Sequence, residues 1–284
     1  MKKWITLVLL SSVLVGCKTA AVLPEAKSIH LSLGNPSEAR TDTNQADNYL
    51  MIKKQYAISY NRGKGHANWV AWELSPDWLG GTDRQDSFRP DPDLPAGWYK
   101  PVPSDYTNTG FDRGHLCPSA DRSSTEADNL ATFLMTNIIP QAPELNREAW
   151  ARLEDYCRDL VQSGYRLYIM AGTYGQGGEG SRGEQSTLKN RIQVPARNWK
   201  VVVVLPQGAT REQITAETPV IAVDFPNQTS QVDNQSWYNF LTTPEAIEQR
   251  AGVRFFTYLP ARVSQPLRRS RFNPDAAPPK RNAQ

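Results

Sequence analysis

Asp112-Arg113-Gly114-His115-Leu116-Cys117-Pro118-Ser119-Ala120-Asp121-Arg122 is the stretch from which the rest of the chain can be read. It follows residues 76–110, a segment rich in Pro, Gly and Asp that reads as a long ordered loop. A histidine ionises at about pH 6.5, so its neutral ring accepts a proton at neutral pH. The glycine beside it permits close backbone approach. The arginine presents a planar fork suited to phosphate or carboxylate. Four residues of this kind carry little alone, and their meaning depends on what lies further along.

The second string is Asn137-Ile138-Ile139-Pro140-Gln141, leading through Pro143-Glu144-Leu145 to Asn146. Asn146 opens the best helical pattern in the chain, residues 146–163. There Trp150, Leu153, Tyr156, Cys157 and Leu160 recur at helical spacing, and Gly164 ends the run. Asparagine at a helix start is commonly an N-cap. Its amide oxygen is also a hard ligand for Mg²⁺, an ion that keeps several waters and takes one or two protein oxygens. Glu154 lies two turns on, with a side chain that leans back toward the helix N-terminus. It reads either as a carboxylate near the ion's water or as a surface charge.

Around these strings lie the scaffold elements. Residues 49–60 and 69–74 are β-rich and are joined by the turn-like Asn61-Arg62-Gly63-Lys64-Gly65, which predicts a hairpin. Further strands are expected over 167–171, 199–205, 220–225 and 254–259, and helices over 125–133 and 244–251. Residues 176–183 read as a glycine-rich loop. The fold class is α+β: a central antiparallel sheet with flanking helices.

Taken in order, these strings resemble the DNA/RNA non-specific endonuclease family with its ββα-metal active-site motif. The resemblance extends to Ile29-His30-Leu31-Ser32-Leu33-Gly34-Asn35-Pro36, to Asn68-Trp69-Val70-Ala71-Trp72, to Arg84 with Phe88 and Asp91-Pro92, and to Trp199-Lys200-Val201-Val202. It covers roughly residues 29–260. The resemblance implies that His115 is the general base and that Asn146 is the direct ligand of Mg²⁺, with Mn²⁺ as the alternative ion. It implies that Glu154 orients water held by the ion and that Arg84 stabilises charge on the phosphate. Arg113 supports the base, and Asn137 fixes the local hydrogen bonding. Arg89 stands close to Arg84 and competes for its role. DNA and RNA are the implied substrates, cut without regard to sequence and leaving 5′-phosphate ends. The competing reading is a noncatalytic nucleic-acid-binding lipoprotein on a nuclease fold, and a third is a phosphodiesterase for some other ester. The glycine-rich loop lacks the ending of a P-loop, and no Gly-x-Ser-x-Gly elbow occurs.

The N-terminus adds a location. Lys2 and Lys3 precede a short apolar run and Leu14-Val15-Gly16-Cys17, which resembles a bacterial lipobox. The run is shorter than the roughly 20 residues a spanning helix needs. The expectation is an exported protein anchored to the membrane through lipid on Cys17. By the same resemblance Lys18 favours the outer membrane, facing the periplasm or the cell surface. Export implies an oxidising compartment. Cys117 and Cys157 then read as a disulfide, with two separate buried thiols as the other reading. The expected layout is a lipoprotein signal peptide over 1–17, a tether over 18–45, the nuclease domain over 46–261, and a basic, proline-rich, unstructured tail over 262–284. The net charge is only +3, and loss of Lys2 and Lys3 leaves 30 basic against 29 acidic residues. Global charge therefore does not indicate a polyanionic substrate, and any such signal must be local.

Overall fold

Alternation of side chains between two faces builds the sheet at the centre of the molecule. Along the strand around Trp199, residues Trp199, Val201, Val203 and Leu205 enter one apolar cluster, while Val202 and Val204 enter another. A strand buried on both faces is a central strand. The structure is a computed structural model and describes residues 28–276. The expected signal peptide, the first part of the tether and residues 277–284 lie outside the described residues.

In chain order, β1 (Tyr49–Ile52), β2 (Ala57–Asn61) and β3 (His66–Leu74) lead into the long loop. An excursion follows, made of β4 (Asp112–His115), α1 (Glu126–Ala131), β5 (Ile138–Gln141) and α2 (Trp150–Gln162). The chain returns to the sheet with β6 (Tyr165–Tyr174). Two small hairpins come next, β7 (Gly178–Gly180) with β8 (Gly183–Gln185), and β9 (Thr187–Leu188) with β10 (Ile192–Gln193). The long β11 (Arg197–Pro206) and β12 (Val220–Pro226) complete the strands, and α3 (Thr229–Val232), α4 (Pro244–Ala251) and α5 (Ala261–Arg269) follow. The main sheet has the order β1-β2-β3-β6-β11-β12, with every neighbouring pair antiparallel.

Helix α2 lies on one face and buries Trp150, Leu153, Cys157, Leu160 and Val161. Each such side chain contributes about 2 kcal/mol of burial. The helix ends at Ser163, and Gly164, at φ 90°, turns the chain back into β6. The other face is covered by Leu31 and Leu33, by Ile247 of α4, and by Phe255, Phe256 and Leu267. Among the described residues no helix is long and apolar enough to cross a membrane.

Several expectations are corrected. The run 49–60 is two strands, because Lys53 N–H donates to the Tyr56 carbonyl and closes a turn, so that Tyr49 pairs with Tyr60. Residues 254–259 are not a strand. Phe256 has φ 60° and Arg254 N–H donates to Pro36, a geometry that drives both Phe255 and Phe256 into the core. The segment from 262 is not an unstructured tail as far as 276. It forms α5, with Leu267 buried, Arg268 gripping Glu248 at 2.6 Å, and Phe272 packed near Tyr156 and Trp237. Val263 and Leu267 stand one helical turn apart, but the arginines and the internal Pro266 around them mask that amphipathic spacing as a basic, proline-rich run. The expected tether likewise joins the domain from residue 28 onward, through buried Leu31 and Leu33 and a His30 Nε2–Lys54 carbonyl bond of 2.7 Å. Cys117 and Cys157 are free and buried in the same apolar cluster, not bonded to each other. Burial pushes each thiol up to about 12, so both pack as small neutral groups.

Candidate active site

Strands β4 and β5 form a separate antiparallel pair in which Gly114 faces Ile139 and His115 faces Ile138. Gly114 is required by contact. A Cβ there would meet Gln141 Oε1 at 2.2 Å and Gln141 Cβ at 2.6 Å. Asn137, fully buried, secures the end of β4. Its Nδ2 donates to the Cys117 and Thr132 carbonyls at 2.8 and 2.9 Å, and its Oδ1 accepts from Cys117 N–H at 2.9 Å. Its own carbonyl accepts from Leu116 N–H at 3.0 Å. The two residues after His115 are thereby locked, so Asn137 acts on the site by positioning.

His115 is 7% exposed. Its ring lies 5.4 Å from Phe88 and, edge-on, 5.0 Å from Phe133, and those two phenyl rings touch each other at 5.0 Å. The Phe pair also carries the arginines. The Arg113 guanidinium lies 4.3 Å over Phe88, and that of Arg84 5.2 Å over Phe133. Burial, then the charges of Arg84 and Arg113, lower the His115 pKa to about 3. The ring is therefore a neutral proton acceptor, and its buried Nε2 has no hydrogen-bond partner. Arg84 is further held by Asp86 at 2.7 Å and by Ser119. Arg89, its neighbour in sequence, is committed elsewhere. It donates to the Ser87 and Leu130 carbonyls, and its backbone pairs with Phe133 and Met135. Of the two arginines, Arg84 is the one beside the histidine.

Asn146 is not an N-cap. It lies in a π-helical turn, Leu145–Ala149, that precedes α2, so the expected continuous helix begins with a wider turn. Its Nδ2 donates to Asp112 Oδ2 at 2.9 Å, and Arg147 grips the same carboxylate with two bonds of 2.9 and 2.8 Å. Asp112 opens the strand that His115 closes, a span of about 10 Å. With its nitrogen bound to Asp112, the amide presents Oδ1 as the donor free for a cation. Among the described residues no group of three or more His, Cys, Asp or Glu is arranged to hold a metal. A site of one amide oxygen plus waters fits a hydrated Mg²⁺ without such a group. Glu154 lies on α2, two turns beyond Asn146. Its Oε1 lies 3.2 Å from Nζ of buried Lys200, which also sits 4.1 Å over the Trp150 ring. Desolvation raises the Glu154 pKa, and Lys200 opposes the rise.

Asp112, Arg147, Phe133 and Lys200 are site residues to which the sequence assigned no role. Arg147 adjoins Asn146, but nothing local shows that it reaches back to Asp112.

A β-hairpin bearing a neutral histidine, followed by a helix that presents an asparagine, with two arginines at the histidine, defines a ββα-metal nuclease. The chain belongs to the DNA/RNA non-specific endonuclease family, whose model matches residues 34–262. It is 48% identical over 256 residues to a nuclease of Nostoc sp. (strain PCC 7120 / SAG 25.82 / UTEX 2576), covering 87% of this chain and 90% of that one. It is 32% identical to nuclease C1 of Cunninghamella echinulata var. echinulata, covering 83% and 90%. It is 30% identical to mitochondrial endonuclease G of Homo sapiens, covering 75% and 71%. Its fold matches a chain in the crystal structure of the EndoG/EndoGI complex with a TM-score of 0.66 at 22% identity, covering 82% of this chain and 92% of that one. The α+β class and the nuclease activity follow from this membership, and family nucleases generally depend on a divalent metal.

Proposed function

We propose that this nuclease hydrolyses internal phosphodiester bonds of both DNA and RNA without base readout, leaving 5′-phosphate ends. The observation that carries this reading is His115, held neutral between two arginines that no buried acid neutralises. A neutral base flanked by cations suits a nucleophilic water directed at an anionic diester. His115 takes a proton from water, and the water oxygen bonds to phosphorus as the bond to the 3′ oxygen breaks. That oxygen takes its proton from solvent. Arg84 and Arg113 offset charge on the phosphoryl oxygens. Asn146, oriented by Asp112, would hold the ion, which we assign as Mg²⁺ with Mn²⁺ as its substitute. When bound, the ion supplies positive charge to the phosphoryl and leaving oxygens. Glu154, paired with Lys200 through Oε1, would orient water held by the ion. Contacts to backbone phosphate carry no sequence information, in keeping with indifference to sequence.

The test is digestion of supercoiled plasmid and of folded RNA, with and without EDTA, beside His115→Ala. Metal-dependent cutting of both polymers by the native protein, lost in the variant, is expected. Binding without cutting would support a noncatalytic nucleic-acid-binding lipoprotein instead. We further infer export and lipid attachment at Cys17, supported by Lys2, Lys3 and Leu14-Val15-Gly16-Cys17. Radiolabelled palmitate incorporation, abolished in Cys17→Ser, is the expected result.

A further inference from the structure

The loop that feeds β4 is walled by the small hairpins β7–β10, and that wall is cationic. Ser181 N–H donates to the Gly110 carbonyl at 2.9 Å. Gly110 has φ +87°, and a Cβ on it would meet the Arg182 backbone nitrogen at 2.7 Å, so glycine lets the hairpin seat there. Arg182 is exposed, two residues from the start of the catalytic strand through this contact. Lys189, in the turn between β9 and β10, bonds the Ser104 carbonyl. The Arg191 guanidinium lies 5.3 Å over the exposed ring of Tyr99. Beyond it, the β2–β3 turn is tied to β10 by a Gln193 N–H to Lys64 carbonyl bond of 2.8 Å, and Arg62 lies 5.6 Å over Trp98. Against these cations stand Glu184 and Asp47, both exposed, half-buried Glu179 of β7, which accepts from the Ser230 hydroxyl, and buried Asp105, which lies 3.6 Å from Arg191. With Lys64 of the β2–β3 turn included, five cations stand against four carboxylates, of which Asp105 is buried and Glu179 is bonded to Ser230, so the outward-facing charge is positive. The Arg191 guanidinium on exposed Tyr99 combines a charge for phosphate with a ring for a base, while half-buried Trp98 holds Arg62 in place.

We propose that this ridge, from Arg182 through Lys189 and Arg191 to Arg62, holds the nucleic-acid strand beyond the scissile phosphate. The proposal rests on the nuclease reading and adds to it that the ridge sets the affinity for long substrates. Dinucleotide-sized esters fill the catalytic site alone and are indifferent to it. Longer polymers lie across both.

The experiment uses full-length His115→Ala protein in EDTA, with binding of a 20-base-pair duplex read by fluorescence anisotropy from 50 to 300 mM salt. Adding Arg182→Ala, Lys189→Ala and Arg191→Ala together should weaken duplex binding at least tenfold. It should also flatten the slope of log affinity against log salt by about 2–3, near 0.9 for each phosphate no longer neutralised. Lysine at positions 182 and 191 should restore most of that slope. In the His115-intact background, the triple change should leave hydrolysis of a short aryl phosphodiester within twofold, which shows an intact fold. Duplex affinity and slope equal to those of the parent would overturn the proposal. So would loss of binding to anionic phosphatidylglycerol vesicles with duplex binding unchanged, since the ridge would then be a membrane contact. Failure of the nuclease reading is distinct from both: the unmodified protein would cut no nucleic acid at all.

Discussion

The side-chain amide of Asn146 donates to the carboxylate of Asp112 at 2.9 Å, tying the helix of the ββα unit to its first strand. The bond fixes which end of the amide faces outward. Residues that orient a metal ligand typically contribute 10–100-fold to metal affinity or activity. Asp112→Ala is therefore expected to lower Mn²⁺ affinity, followed by electron paramagnetic resonance titration, by that factor. Arg147→Ala is expected to raise it, because the Asp112 carboxylate that holds Asn146 loses its counter-charge. Unchanged Mn²⁺ binding in Asp112→Ala would remove Asn146 from its role.

The protonation state of His115 predicts an unusual pH profile. Its pKa is lowered to about 3 by burial and by Arg84 and Arg113. The acid limb of kcat/KM should therefore fall well below pH 6.5, where an ordinary histidine is half protonated. Arg113→Ala should move that limb toward neutrality. A wild-type limb centred near pH 6.5 would contradict the assignment.

Acid stability follows from all three histidines. Burial lowers His30 and His66 to about 4, as it lowers His115 to about 3. The folded state refuses protons that the unfolded chain accepts below about pH 6.5. Stability is therefore complete above that pH and is lost as pH falls through the interval down to about 4. The loss is about 1.4 kcal/mol per pH unit for each histidine. The urea midpoint should drop steeply between pH 6.5 and 5, and less steeply in His66→Gln. Equal midpoints at pH 7 and pH 5 would refute this.

Removal of Asn137 should damage both fold and rate. Asn137→Ala deletes three side-chain hydrogen bonds around Cys117 and Thr132. At about 1 kcal/mol each, the expected loss is about 3 kcal/mol in equilibrium urea unfolding. Because Asn137 positions the base and does not touch substrate, kcat should fall more than KM rises. A variant with native stability and rate would show that β4 holds His115 unaided.

The two core thiols should be silent until the protein unfolds. Maleimide labelling followed by peptide mapping is expected to modify neither Cys117 nor Cys157 in the native state, and both in urea without reductant. Recovery of a peptide linking the two would show a disulfide in the protein as isolated.

What the sequence determined by itself was local. Short runs of β-branched, aromatic and other apolar residues placed β3, β6, β11 and β12, and helical spacing of Trp150, Leu153, Cys157 and Leu160 placed α2, because each pattern is written within a single element. His115 and Arg113 were legible for the same reason, being neighbours in one string. Only the tertiary structure decided that Asp112 and Arg147 share a bond across the ββα unit, and that Arg84 and not Arg89 stands over Phe133. It also decided that Glu154 is committed to Lys200, and that residues 261–269 dock as a helix through one buried leucine and an Arg268–Glu248 pair. Each of these joins residues far apart in the chain. Such pairings leave no periodic trace, because their energy depends on where packing brings two side chains and not on the residues that flank them.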